Sequence, residues 1–123
     1  MPMQSTPQTT VAVIDDDQRV LASLGNLLAS AGYRTELFAC AEAFFRADPA
    51  RFRCVITDLG MRPVDGLEVL RRVRAATASL PVIIITGKTD IHPDAWYLAQ
   101  GAAGFYRKPV DGDELMALIG GLP

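Results

Sequence analysis

Three aspartates in succession, Asp15, Asp16 and Asp17, stand directly behind the apolar run "TVAVI", and Asp58 stands behind "CVIT". Thr86 closes "VIIIT", and Lys108 follows "GFY". Adjacent carboxylates repel one another, so such a cluster is costly unless it stays wet or finds a cation. Clustered oxygen donors suit a hard cation that keeps part of its water, and Mg²⁺ tolerates one or two carboxylates together with phosphate oxygens. A carboxylate beside such an ion and a lysine can accept a phosphoryl group, because metal and ammonium stabilise charge on the equatorial oxygens during in-line displacement. Lys108 suits that task as a compact point charge. Thr86 would donate a hydrogen bond to a phosphoryl oxygen, and a backbone carbonyl just past Asp58 would complete the metal shell. Singly these residues are ordinary: Asp15 and Asp16 read as a turn and cap, Thr86 as a strand end, Lys108 as a solvated charge. The chemistry exists only if the fold brings them together.

The elements that must do so alternate along the chain. "TVAVI" (10–14) is a short β-branched run, and Val20, Leu21, Leu24, Leu27, Leu28 and Ala31 then recur at the spacing of one helical face until Gly32. Asp17 reads as the cap of that helix. "RTELF" (34–38) is a second strand, and "AEAFFRAD" (41–48) a short helix ended by Pro49. "CVIT" (54–57) is continuous rather than alternating, as in a strand covered on both faces. Leu67, Leu70 and Val73 mark a helix ending before Pro81, and "VIIIT" (82–86) is the most strand-like stretch. A helix over 93–100 closes at Gly101. "GFY" (104–106) is a last strand, and Leu115, Leu118, Ile119 and Leu122 form a closing helical face cut off by Gly120 and Gly121.

Strict β and α alternation predicts a three-layer α/β sandwich around a doubly wound, five-stranded parallel sheet of order 2-1-3-4-5. In that order the winding direction reverses between strands one and three, and ligands bind at the carboxyl ends beside that point. Asp15, Asp16 and Asp58 are then placed in one crevice, with Thr86 and Lys108 delivered to the same edge.

The chain has 123 residues, half of them hydrophobic, enough for one core, so a single domain over 1–123 is expected. Residues 1–9, "MPMQSTPQT", are polar with two prolines and read as a flexible tail. A net charge of −2 with interspersed signs argues against direct nucleic-acid contact. No stretch reads as a signal peptide or membrane span, so a cytoplasmic protein without membrane contact is expected. Two cysteines, Cys40 and Cys54, and a single histidine, His92, do not make a soft-metal site; the cysteines read as reduced, buried thiols. Gly87, Lys88 and Thr89 mimic the end of a nucleotide-binding phosphate loop, but the glycine required five residues earlier is Val82.

In order and approximate spacing, "VIDDD", "ITDLGMRPVDG", "IIITG" and "FYRKP" resemble the four signature segments of the receiver domain of two-component response regulators, across residues 10 to 122. The resemblance implies that Asp58 is the phosphoacceptor, Asp16 a direct metal ligand and Asp15 a ligand through water, with Gly60 lending its carbonyl. It implies that Thr86 and Phe105 are the switch pair and that Lys108, before a cis-bonded Pro109, pairs with the acyl phosphate. A sensor histidine kinase is the implied donor. The implied output is a downstream protein or a missing output domain, and helix four, strand five and helix five offer a face for a homodimer. "ITG" and Phe105 further resemble the nitrogen-fixation regulators. The chain departs from the family where Arg62 separates Met61 from Pro63, where Cys40 replaces a capping Ser or Thr, and where Trp96 and Tyr97 sit in helix four.

The leading function is therefore a phosphorylatable signalling switch that catalyses only its own phosphorylation and dephosphorylation. Gly60 offers no side chain to shield an acyl phosphate, so hydrolysis should not be especially slow. A second reading is a phosphorylation-independent interaction module with a vestigial acidic site. A small phosphohydrolase ranks third, since the short loops leave no room for a substrate cavity. Phe44 and Phe45 read as core, and His92 as a surface residue. Trp96, placed by helical phase off an Ala95/Leu98 face, is a candidate docking patch.

Overall fold

A computed structural model describes residues 10–89 and 91–123; the expected tail, residues 1–9, lies outside them. The strands are β1 (Thr10–Ile14), β2 (Arg34–Phe38), β3 (Cys54–Asp58), β4 (Val82–Thr86) and β5 (Gly104–Arg107). The helices are α1 (Gln18–Ser30), α2 (Ala41–Phe45), α3 (Gly66–Ala76), α4 (Asp94–Ala99) and α5 (Gly112–Gly120). All strands are parallel in the order β2-β1-β3-β4-β5, so the doubly wound architecture expected from the alternation is the one formed.

Strand periodicity divides the core in two, because successive side chains leave a strand on opposite faces. Val11, Val13, Ile56, Ile83 and Ile85 pack under α1 and α5 through Leu21, Leu24, Leu28, Leu115 and Ile119. Ala12, Ile14, Val55, Val82 and Ile84 pack on the other face under α2, α3 and α4 through Phe44, Val69, Leu70, Val73 and Tyr97. The central strands β3 and β4 are buried at every position. That explains their continuous apolar runs.

Aspartates start the long helices. Asp17 accepts from the Arg19 N–H at 2.9 Å, Asp65 from that of Glu68 at 2.9 Å and Asp111 from that of Glu114 at 3.1 Å. Gly32 and Gly101 end α1 and α4 with φ of 92° and 106°. Each is followed by a bond from the next residue back into the last turn, Tyr33 to the Leu28 carbonyl and Ala102 to that of Tyr97.

Four local expectations need correcting. Helix α2 stops at Phe45 instead of running to residue 48; a 3₁₀ turn, Pro49–Arg51, capped by Asp48, takes up the connection. Helix α5 runs through Gly120 before ending. Cys54 is buried, but Cys40 is only half-buried; it stands at the α2 N-cap and makes no side-chain cap bond there. In α4 the buried residue is Tyr97, Trp96 is half-buried, and Ala95 and Leu98 face solvent. With six residues and one buried position, α4 carries too few turns for its phase to be read from apolar spacing.

Candidate functional site

Strand register places the candidate site residues at one level. Ile14 pairs with Thr57, so the next residues, Asp15 and Asp58, leave adjacent strands side by side. Asp58 pairs with Ile85, and Thr86 pairs with Arg107, which sets Thr86 and Lys108 one step further along the same edge. β1 lies between β2 and β3, so the Asp15 and Asp58 tips flank the reversal of winding.

The acidic side chains converge. Asp15, Asp16 and Asp58 each offer a carboxylate oxygen lying within 4.8 Å of the other two. Asp15 is fully buried, and its carboxylate accepts the Asp17 N–H at 2.9 Å. Lys108 Nζ lies 2.9 Å from Asp15 Oδ2 and 3.2 Å from Asp58 Oδ1, bridging the tips of β1 and β3 from beyond β5. Asp16 is exposed at the mouth. An all-oxygen donor set of like charge, wet on one side and balanced by a single ammonium, fits a small hard divalent cation.

Electrostatics follow from that packing. Burial pushes the Asp15 carboxyl above its ordinary range, and the Asp58 charge adds to the rise against the opposing Lys108 hydrogen bond. Burial acts against the Lys108 ammonium, but the hydrogen bond to Asp15 and the charges of Asp58 and Asp15 outweigh it, so its pKa is raised. Lys108 therefore stays charged throughout the neutral range. The peptide bond between Lys108 and Pro109 is cis, as the sequence resemblance implied, and the Lys108 N–H donates to the Thr86 carbonyl at 2.8 Å.

The loop after β3 is held close to the crevice. The Leu59 N–H donates to the Ile85 carbonyl at 2.8 Å, and the Gly66 N–H returns to the Leu59 carbonyl at 3.1 Å. A Cβ on Gly66 would collide with the Asp58 carbonyl oxygen and sit 2.9 Å from Leu59 Cα, so only glycine permits this approach. In the same loop the Arg62–Pro63 peptide bond is cis, and Met61 is buried.

Thr86 is buried, and its Oγ1 accepts the Lys88 N–H at 2.9 Å, which leaves the hydroxyl proton available to another acceptor. Phe105 is also buried and stacks on Tyr97, with ring centroids 4.5 Å apart and planes 10° apart. Trp96 packs edge-on against Tyr97 at 5.0 Å and stacks on exposed His92 at 3.9 Å. Sequence reading missed Lys88 as a neighbour of the site: its stem runs over Gly60. The available signal was its place two residues beyond a site strand.

Comparison with known proteins agrees with this geometry. The response regulator receiver domain family matches residues 11–120. The transcriptional regulatory protein FixJ of Bradyrhizobium diazoefficiens is 39% identical over 115 residues, 93% of this chain and 56% of that protein. The structure of response regulator StyR superposes with a TM-score of 0.83 at 35% identity, over 92% of this chain and 58% of that one. A receiver domain protein from Clostridium thermocellum gives a TM-score of 0.84 at 28% identity, over 91% of each chain. The chain spans about half the length of the FixJ relatives it matches. FixJ among the relatives accords with the likeness of "ITG" and Phe105 to the nitrogen-fixation regulators. With a switch-point crevice holding Asp15, Asp16, Asp58 and Lys108, and a family match over nearly all of its described residues, this chain belongs to the receiver domains of two-component response regulators.

Proposed function

We propose that Asp58 accepts a phosphoryl group from a sensor histidine kinase and that the resulting charge switches a partner-binding surface. The observation that supports this most is the position of Asp58, at a strand tip with Lys108 Nζ at 3.2 Å and the Asp15 and Asp16 oxygens beside it. An Asp58 carboxylate oxygen forms the new bond to phosphorus while the bond to the donor's leaving atom breaks, and that atom keeps the electron pair. Lys108 holds one side of the acceptor and balances the charge that accumulates on the acyl phosphate. Thr86 turns its free hydroxyl proton toward a phosphoryl oxygen, and Phe105 follows it. Asp16, Asp15, Asp58 and the Gly60 carbonyl are the groups to hold Mg²⁺, which when bound supplies neutralisation of phosphoryl charge.

The chain on this reading catalyses its own phosphorylation and dephosphorylation and nothing else. The switched surface is the α4-β5-α5 face, where Leu98 is 47% exposed and an Asp94–Arg107 pair spans α4 and β5 at 3.7 Å. A second copy, a downstream protein or an output domain of the kind that makes the relatives twice as long would meet it there. Among the described residues no helix is long and apolar enough to cross a membrane. Convergence of Asp15, Asp16, Asp58 and Lys108 in one crevice speaks against a vestigial site. Incubation with labelled acetyl phosphate and Mg²⁺ should give acid-labile incorporation that Asp58→Asn abolishes. Equal labelling of that variant removes the reading.

A further inference from the structure

Helix α4 is anchored through one ring. Of its six residues only Tyr97 is buried, and that side chain lies flat on Phe105, with ring centroids 4.5 Å apart and planes 10° apart. Both residues are nearly closed to solvent, at 3% and 8% exposure. Trp96 abuts Tyr97 edge-on at 5.0 Å and exposed His92 stacks on Trp96 at 3.9 Å, so four rings in contact run from β5 out to the surface at the start of α4. A second tie between β5 and α4 is the Asp94–Arg107 pair at 3.7 Å, but both of its side chains are more than half exposed, and water screens it. The buried stack is therefore the stronger link.

We propose that Tyr97 is a positioning residue that makes α4 move with Phe105, so that the helix and the Trp96–His92 pair at its surface end shift as one body when the β5 ring turns. The inference rests on Asp58 being the acceptor and on Phe105 following Thr86; it adds the residue through which that motion leaves the sheet. Interiors are close-packed, so a Phe105 ring that turned alone would strip Tyr97 of the surface it covers and leave a void beneath α4. Moving the helix with the ring keeps the contact. With no other buried position, α4 has no further side chain sunk in the core to hold it back. Coupling between separated sites is carried by chains of packed side chains of this kind. The requirement at position 97 is a flat ring, since a branched aliphatic side chain fills part of the volume without offering the stacking face.

Hydrogen exchange read by mass spectrometry tests this on the full chain in Mg²⁺, before and after labelling with acetyl phosphate. In the parent, labelling should change the protection of the amides over residues 98–102 by about fivefold or more, the low end of a coupling between sites, together with a change in β5. Tyr97→Phe should respond as the parent does. Tyr97→Leu should still label and still change in β5, while the change over 98–102 falls below about twofold. Arg107→Met, which removes the exposed tie, should keep the parental response. An unchanged 98–102 segment in the labelled parent, a full response in Tyr97→Leu, or loss of the response in Tyr97→Phe or Arg107→Met overturns the proposal. The parent, Tyr97→Phe and Arg107→Met measurements decide the matter even if Tyr97→Leu does not fold. Labelling of Asp58→Asn reports on the acceptor, and exchange is compared only among proteins that label, so the two failures are read separately.

Discussion

Replacing Lys108 with methionine tests the electrostatic account of the crevice most directly. The side chain keeps its approximate length and loses the only cation within bonding distance of Asp15 and Asp58 among the described residues. At the observed 2.9 and 3.2 Å and an effective dielectric near 20, each contact carries roughly 5 kcal/mol of gross attraction. Desolvation of the three groups offsets much of that, but truncating one partner of a buried pair leaves the others uncompensated at a cost of about 3–5 kcal/mol. Protonation limits the loss: neutralising Asp15 costs about 1.36 kcal/mol per pH unit above its ordinary 3.8, hence about 5 kcal/mol at pH 7.5 and about 2 at pH 5.5. Exposed Asp16 and the 11% exposure of the Asp58 side chain let water relieve part of the repulsion. The expected destabilisation is about 3 kcal/mol at pH 7.5.

The sign of the pH dependence follows from Asp15. Its folded-state pKa is already raised by burial, and loss of the Lys108 hydrogen bond raises it further. The folded variant then binds a proton more tightly than the unfolded chain, so its stability grows as pH falls through that raised pKa. Parent and variant should converge on acidification from pH 7.5 to 5.5. Urea unfolding in metal-free buffer at both pH values measures the gap. A loss below about 1 kcal/mol at pH 7.5, or a gap that does not narrow, would refute the view that Lys108 neutralises a desolvated carboxylate pair.

Gly66→Ala drives a Cβ into the Asp58 carbonyl, so overpacking should cost about 1–3 kcal/mol in unfolding experiments and depress labelling by acetyl phosphate; parental stability would show that the loop yields freely. The two thiols should differ in reactivity. Burial pushes Cys54 up to about 12, whereas Cys40 is half-buried, so a thiol reagent at pH 8 should modify Cys40 promptly and Cys54 only after denaturant is added. Prompt modification of both in the folded chain would contradict the packing of Cys54 in the core under α1 and α5.

What the sequence makes legible is whatever the strand tips determine. "VAVI", "CVIT" and "VIIIT" are continuous apolar runs because β1, β3 and β4 are covered on both faces, and a polar residue directly after such a run must lie at the sheet's edge. Asp15, Asp58 and Thr86 follow from that alone, and the switch point says that the first two are neighbours. Side chains that reach the crevice laterally are not determined this way. Lys88 leaves β4 two residues past its tip, and nothing local fixes whether its stem turns toward Gly60 or into solvent. The Lys88 backbone is held by a local bond to Thr86 Oγ1 and by a long-range bond from Arg107 to its carbonyl, and neither fixes the direction of the stem. Helix α4 fails for the same reason: Tyr97 is buried because Phe105 offers it a flat ring at 4.5 Å, a partner in a different element. Both residues that escaped the reading touch the Thr86 and Phe105 pair, one by a hydrogen bond and one by a stack. On the proposed function, these two positions therefore lie beside the pair that would rearrange on phosphorylation.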